Sequence, residues 1–280
     1  MQGTLYIVAT PIGNVADITQ RAVEVLTGVA VIAVEDTRHS GKLLHALGIA
    51  TPMLSCHEYN EEQRSEQLLK RIAAGEDVAL ISDAGTPLVS DPGYQLVKLA
   101  HQRGCKVVPI PGASAVITAL CCAGLPTDRF VFEGFLPAKT AARQARLQEV
   151  QQEIRSLVFY EAPHRIEECL QDMVDAFGAD REATLLRELT KTFETIVPAS
   201  LGKLLELVKA DENQRKGEIV LVVAGADKAS TQTEADAEKV LKILLSELPV
   251  RQASALAAKI TGVKKNRLYD LALSWQEIKD

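Results

Sequence analysis

The chain has 280 residues and a mass of 30.3 kDa, with 47% hydrophobic and 24% charged residues. That is a globular mix, long enough for two domains and a small appendage. The net charge of −6 and pI of about 5.5 argue against a chain coated in nucleic acid, although a local basic patch suffices for an RNA substrate.

From the N-terminus, Leu5–Ala9, Val29–Val34, Val78–Ser82 and Val107–Ile110 read as strands. They are apolar throughout, as strands covered on both faces should be. Helices are expected near Ile18–Leu26, Ser40–Leu47, Glu61–Ala74 and Pro92–Gln102, the last with Asp91 as N-cap and Pro92 in its first turn. The alternation predicts a parallel sheet. In the second half Phe130–Phe135, Leu157–Tyr160, Ala183–Arg187, Thr192–Val197 and Glu218–Ala224 read as strands, with a helix over Pro163–Phe177. The gap between Arg187 and Thr192 is too short for a crossover, so a hairpin near Thr190-Lys191 and a mixed sheet are expected. A polar linker is expected over Asp227–Glu238, then helices over Asp236–Leu248, Arg251–Thr261 and Lys264–Trp275, broken at Gly262.

The expected organisation is an N-terminal α/β domain (1–120), a second α/β domain (121–226) and a helical, helix-turn-helix-like appendage (236–280). No apolar run approaches the ~20 residues that span a bilayer. The opening MQGTLYIVATPIGN has no basic leader, so no signal peptide and a cytoplasmic setting are expected. The five cysteines are scattered without C-x-x-C spacing, and Cys121–Cys122 are expected as small core residues of an apolar helix. No metal is expected.

The polar motifs collect at strand ends. Thr10–Asn14 follows the first strand, Ser82–Gly93 a buried strand, and Pro109–Ala115 the fourth. Turns at the carboxyl edge of a parallel sheet are where α/β folds bind ligands. In Ser82–Gly93, small residues let the backbone approach a ligand and present its N–H groups. Val34–Ser40 is dense in charge after an apolar strand: either functional, or an Asp36 N-cap with solvated Arg38 and His39. Arg165 and Lys191 suit phosphate, or ion pairs with Glu161 and Glu188. Pro249–Arg267 carries Arg251, Lys259, Lys264, Lys265 and Arg267 without one acid, a local inversion of sign that favours a polyanion.

ATPIGN, VEDTRHS, SDAGTPLVSDPG, PIPGASA, FEGFLP, FYEAPHRI, RELTK and GEIVLVV occur in this order. The chain thereby resembles the ribosomal RNA small-subunit methyltransferase I family, cytidine 2′-O-methyltransferases of the tetrapyrrole methylase superfamily. The resemblance covers essentially the whole chain. It implies two α/β domains with S-adenosylmethionine between them, usually a homodimer, and a cytidine ribose in the decoding region of 16S ribosomal RNA in the small subunit as substrate. Carried over by motif, the cofactor site takes in Pro11, Asp83, Ala84, Gly85, Pro87, Val89, Ser114, Ala115, Tyr160, Glu188 and Leu189. Asp36 is then the first candidate for general base or orienter and Lys191 for stabilising the alkoxide or gripping phosphate. RNA contacts are expected at Arg38, His39, Arg165, Arg187, Lys264, Lys265 and Arg267. The porphyrin-acting branch has a more glycine-rich first loop than Pro11–Asn14, which favours the RNA branch. Three other readings remain: a tetrapyrrole-type small-molecule methylase, a non-enzymatic RNA-binding ribosome factor, and a magnesium-dependent nucleotide phosphohydrolase using Glu35, Asp36, Asp83 and Asp91.

Overall fold

The computed structural model describes residues 2–57 and 60–277. The first half runs β1 (Thr4–Val8), α1 (Gln20–Gly28), β2 (Val31–Val34), α2 (Thr37–Ala46), β3 (Met53–Ser55), α3 (Glu61–Ala73), β4 (Val78–Leu80), α4 (Tyr94–Gln102) and β5 (Lys106–Ile110). Its strands form one sheet in the order β3-β2-β4-β1-β5, parallel throughout as expected. Leu5, Val78, Leu80 and Leu96 pack on one face and Val8, Ile32, Val34 and Ile81 on the other, which is why these strands are apolar without alternation. Pro109 sits in β5 at the sheet edge, where its missing N–H breaks no ladder bond.

α5 (Ala115–Cys122) leads into the second half: β6 (Phe130–Phe135), α6 (Thr140–Glu149), β7 (Ser156–Glu161), α7 (Ile166–Phe177), β8 (Glu182–Arg187), β9 (Thr195–Ser200), α8 (Leu201–Ala210) and β10 (Ile219–Val223). The sheet order is β6-β7-β10-β8-β9. It is mixed: β6 and β7 are parallel and the remaining pairs antiparallel. α5 buries Val116, Ala119 and Leu120 against Val158, Leu186, Val220 and Val222 of this sheet. The helix therefore crosses the boundary expected at 120 and covers the second sheet. Cys121 and Cys122 lie on its open side and are exposed, not core residues.

Several expected boundaries move. α4 begins at Tyr94 with Gly93 as N-cap, and Asp91 does not cap it. The carboxylate of Glu61 does so instead, its Oε1 accepting from the N–H groups of Gly93 at 3.1 Å and Gln95 at 2.8 Å. Pro163 lies in a turn and α7 starts at Ile166. The β8–β9 hairpin closes at Arg187 and Thr195, so its connection is a loop of 188–194 and not a tight turn at Thr190-Lys191. Residues 228–238, expected as linker, belong to α9 (Lys228–Leu245), since their Ala, Glu, Gln and Lys content suits a helix despite its polarity. α10 (Val250–Thr261) and α11 (Lys265–Glu277) complete a helical unit with its own core of Ala237, Leu241, Ala253, Ala257, Leu268 and Ala272. Gly262 ends α10 in the left-handed conformation. Among the described residues no helix is long and apolar enough to cross a membrane.

Candidate active site

A cleft of about 360 Å³ opens between the two sheets. Its first wall is built by the turns after β1, β4 and β5, through Ile12, Ala84, Gly85, Thr86, Val89, Ser90, Asp91, Ser114 and Ala115. Its second wall comes from the ends of β6 and β7 and the start of β10, with Phe135, Tyr160–Pro163 and Glu218–Val220. The turns are tied together. Thr10 and Gly85 exchange backbone hydrogen bonds at 2.8 and 3.1 Å, and the Thr86 hydroxyl donates to the Ala113 carbonyl at 3.0 Å. Gly85 has φ +80, and a Cβ there would lie 3.3 Å from Ile12 Cγ2. Only glycine takes that conformation without strain while keeping the cradle open. On the far wall Tyr160 is held edge-on between Phe132 and Phe135, at 4.9 and 5.4 Å between ring centres. Its hydroxyl lies near the Val116 N–H, and burial pushes the phenol up to about 12.

Of the residues carried over for a cofactor, Ala84, Gly85, Val89, Ser114, Ala115 and Tyr160 line the cleft. The others stand behind it. Asp83 Oδ1 accepts from the Asp36 N–H at 3.3 Å and the Ser40 hydroxyl at 3.4 Å, joining β4 to α2. Leu189 is buried beside Ile12. Pro11 and Pro87 set the turns around the lining residues. Glu188 binds Lys191 Nζ at 2.8 Å and the Glu218 N–H at 2.9 Å. Burial acts to raise the Glu188 carboxyl, but Lys191 and that N–H outweigh it and hold it low. Burial likewise acts to lower the Lys191 ammonium, but Glu188 and Glu218 (3.0 Å) outweigh it and raise it. Lys191 also stands against the β1 turn, since a Cβ on Gly13 would lie 2.5 Å from its Cγ.

The charged candidates fall into three groups. Asp36 is the N-cap of α2: it accepts the Arg38 N–H at 2.7 Å, and that bond, with the Arg38 guanidinium, holds its carboxyl below the ordinary value. It is not among the cleft residues, and Arg38 and His39 are exposed beside it. Arg165 is spent on buried Glu161, at 2.6 Å, and on the Leu136 carbonyl. Arg187 is buried, its Nη1 on the Lys216 carbonyl and its Nη2 on the Phe193 carbonyl and the Thr195 hydroxyl. Lys264, Lys265 and Arg267 are exposed at the start of α11.

Ile12, Thr86, Ser90, Phe135, Glu161, Ala162, Pro163 and Glu218–Val220 also line the cleft, and every one lies in one of the sequence motifs. Asp91, expected as a helix cap, is the plainest correction: it lines the cleft, and burial, with Glu35 and Asp83 nearby, raises its carboxyl from 3.8 to about 6. Among the described residues no group of three His, Cys, Asp or Glu side chains is arranged to hold a metal ion.

Residues 4–205 match the family described as "Tetrapyrrole (Corrin/Porphyrin) Methylases" and residues 231–276 the "RsmI C-terminal HTH domain". The chain is 56% identical over 276 residues to a protein of Pseudomonas aeruginosa named "Ribosomal RNA small subunit methyltransferase I", covering 98% of both chains. It is 54% identical to a protein of that name from Escherichia coli O157:H7, covering 98% of this chain and 96% of that one. Uroporphyrin-III-C-methyltransferase from Thermus thermophilus shares the fold at a TM-score of 0.55 and 19% identity, over 80% of this chain and 94% of that chain.

Proposed function

On the footing that the chain belongs to the tetrapyrrole methylase family, we propose that it transfers a methyl group from S-adenosylmethionine to the ribose 2′-oxygen of a cytidine in the decoding region of 16S ribosomal RNA. The cleft carries this reading. Its size suits an adenosine-like ligand, and its walls combine apolar side chains with the backbone of three strand-end turns. Ile12, Val89, Phe135, Tyr160 and Ile219 would enclose the adenosine, and the N–H groups of Ala84 and Thr86 and of the first residues of α5 would face a carboxylate. The left-handed backbone of Gly85, with Ile12 close to where a Cβ would stand, fits a turn that closes on a ligand. The cofactor supplies an electrophilic methyl group on a sulfonium. The chain's own residues must align the acceptor oxygen with it, exclude water and receive a proton.

The RNA reading is favoured over a tetrapyrrole substrate by the two relatives' names and by the exposed cations of the C-terminal unit. The enzyme acts on the small subunit in the cytoplasm as a homodimer, in which exposed apolar side chains such as Ile117 would be covered. Incubation with methyl-labelled S-adenosylmethionine and small-subunit particles or naked 16S RNA tests the reading. Label should appear on one cytidine ribose. Label on a base, or none on either RNA, would overturn it.

A further inference from the structure

Four side chains lining the cleft can titrate: Asp91, Tyr160, Glu161 and Glu218. Three are committed. Glu161 is buried and held as an ion pair by Arg165, which with the Ala162 N–H takes its Oε1, while its Oε2 is buried without a hydrogen-bond partner. Glu218 pairs with Lys191. The Tyr160 hydroxyl lies against the start of α5, and its phenol is raised to about 12 by burial. Asp91 makes no ion pair among the described residues, and the helix behind it is capped by Glu61 instead. It is half-buried near the Ser82 hydroxyl, with Glu35 and Asp83 on its own side and Tyr160 close by.

The backbone that carries Asp91 is strained and clamped. Leu88 and Ser90 hold left-handed angles, φ +71 and +66. Such conformations persist where the surroundings impose them, and they cluster at functional sites. Gly134, at the bulge of β6, comes so near that a Cβ there would lie 3.1 Å from Ser90 Oγ. The second domain therefore packs closely against Ser90, next to Asp91.

We propose that Asp91 takes the proton from the acceptor hydroxyl during methyl transfer. The proposal rests on the methyltransferase reading. The hydroxyl oxygen forms its bond to the methyl carbon as its proton passes to Asp91. The carbon–sulfur bond breaks with its electron pair left on sulfur, so the sulfonium becomes a neutral thioether. Asp91 becomes a neutral acid and gives the proton to water. A carboxyl titrating at about 6 is ionised at neutral pH yet more basic than an ordinary carboxylate, as a general base requires.

Asp91→Asn preserves shape and removes the base. Single-turnover methylation of RNA at saturating donor should fall about 100-fold or more, while donor affinity by calorimetric titration stays within about twofold of wild type. The acid limb of the wild-type pH–rate profile should vanish. Independently of turnover, carbon-13 NMR of aspartate-labelled protein should show a resonance titrating near 6 that the variant lacks. A wild-type rate, a surviving acid limb, or an Asp91 resonance titrating at the ordinary 3.8 would overturn the proposal. So would joint loss of donor affinity and rate, which would make Asp91 a donor-binding residue. Wild-type protein inert toward RNA would instead overturn the functional reading beneath it.

Discussion

At Gly85 a single missing Cβ shapes the cleft. Its φ of +80 and the 3.3 Å approach to Ile12 leave no unstrained place for a side chain. Gly85→Val should cost about 1–3 kcal/mol in backbone strain and distort the Thr10–Gly85 bridge that joins two turns of the first wall. Donor affinity should fall about tenfold or more, measured by calorimetry on a variant shown to be folded; unchanged affinity would put the donor elsewhere. Asp91 makes a second residue-scale prediction, of opposite sign for stability. Its carboxyl titrates at about 6 in the fold against 3.8 ordinarily, so the folded chain holds a proton that the unfolded chain has lost between those values. Folding stability therefore declines as pH rises through that window. Asp91→Asn removes the decline. The variant should melt above wild type at about pH 7.5, and the advantage should close below about pH 4. Equal melting temperatures at both would mean an unperturbed carboxyl. Asp91 was misread in the sequence because Asp-Pro-Gly before a helix has the local signature of a cap. That a carboxylate 30 positions upstream, on Glu61, fills the role is a tertiary fact that no local pattern carries.

The same Glu61 contact governs an element. α4 starts at a glycine with φ +123, and no side chain of its own satisfies its first N–H groups. Glu61→Ala should leave those of Gly93 and Gln95 unpaired, costing about 1 kcal/mol, a typical cap loss. Amide hydrogen exchange at Gly93 and Gln95 should quicken more than at the centre of α4, and uniform exchange would deny the capping role. Legibility at this scale follows burial. β1, β2, β4 and β10 are buried through most of their length and read as unbroken apolar runs. β3 has three residues with Met53 exposed, too short and too open to register. α6 hides its packing in a charge: fully buried Arg143 meets Asp172 at 2.5 Å, where a sequence reader sees a polar helix or loop. α8 had the signal, Leu201, Leu204, Leu205 and Val208 at helical spacing, and was passed over. The cleft was legible as three strand-end turns because Gly, Pro and Asp cluster there. Its second wall was not, since Phe135 and Ile219 look like any apolar strand residues until the sheets face each other.

Over the whole molecule, the separate cores of the two sheets are joined through α5, whereas the C-terminal helices pack on a core of their own. A change on the outside of α10 or α11 should therefore leave the cleft intact. Arg251, Lys259, Lys264, Lys265 and Arg267 are all exposed there, five cations without an acid between Pro249 and Arg267 in a chain of net charge −6. Each phosphate they neutralise releases counterions, so RNA affinity should fall with salt at a log–log slope of about −0.7 to −0.9 per contact. Replacing Lys264, Lys265 and Arg267 together with serine should weaken RNA binding and flatten that slope by up to ~3 units. Donor affinity should stay as it is. The competing account is that these cations form a solvated face or meet the acidic body of a second copy. Filter binding at several salt concentrations, with the oligomeric state measured alongside, separates the two. An unchanged slope in a folded variant of unchanged oligomeric state would remove the C-terminal unit from RNA binding, and dissociation of a dimer would reassign its charge to the interface.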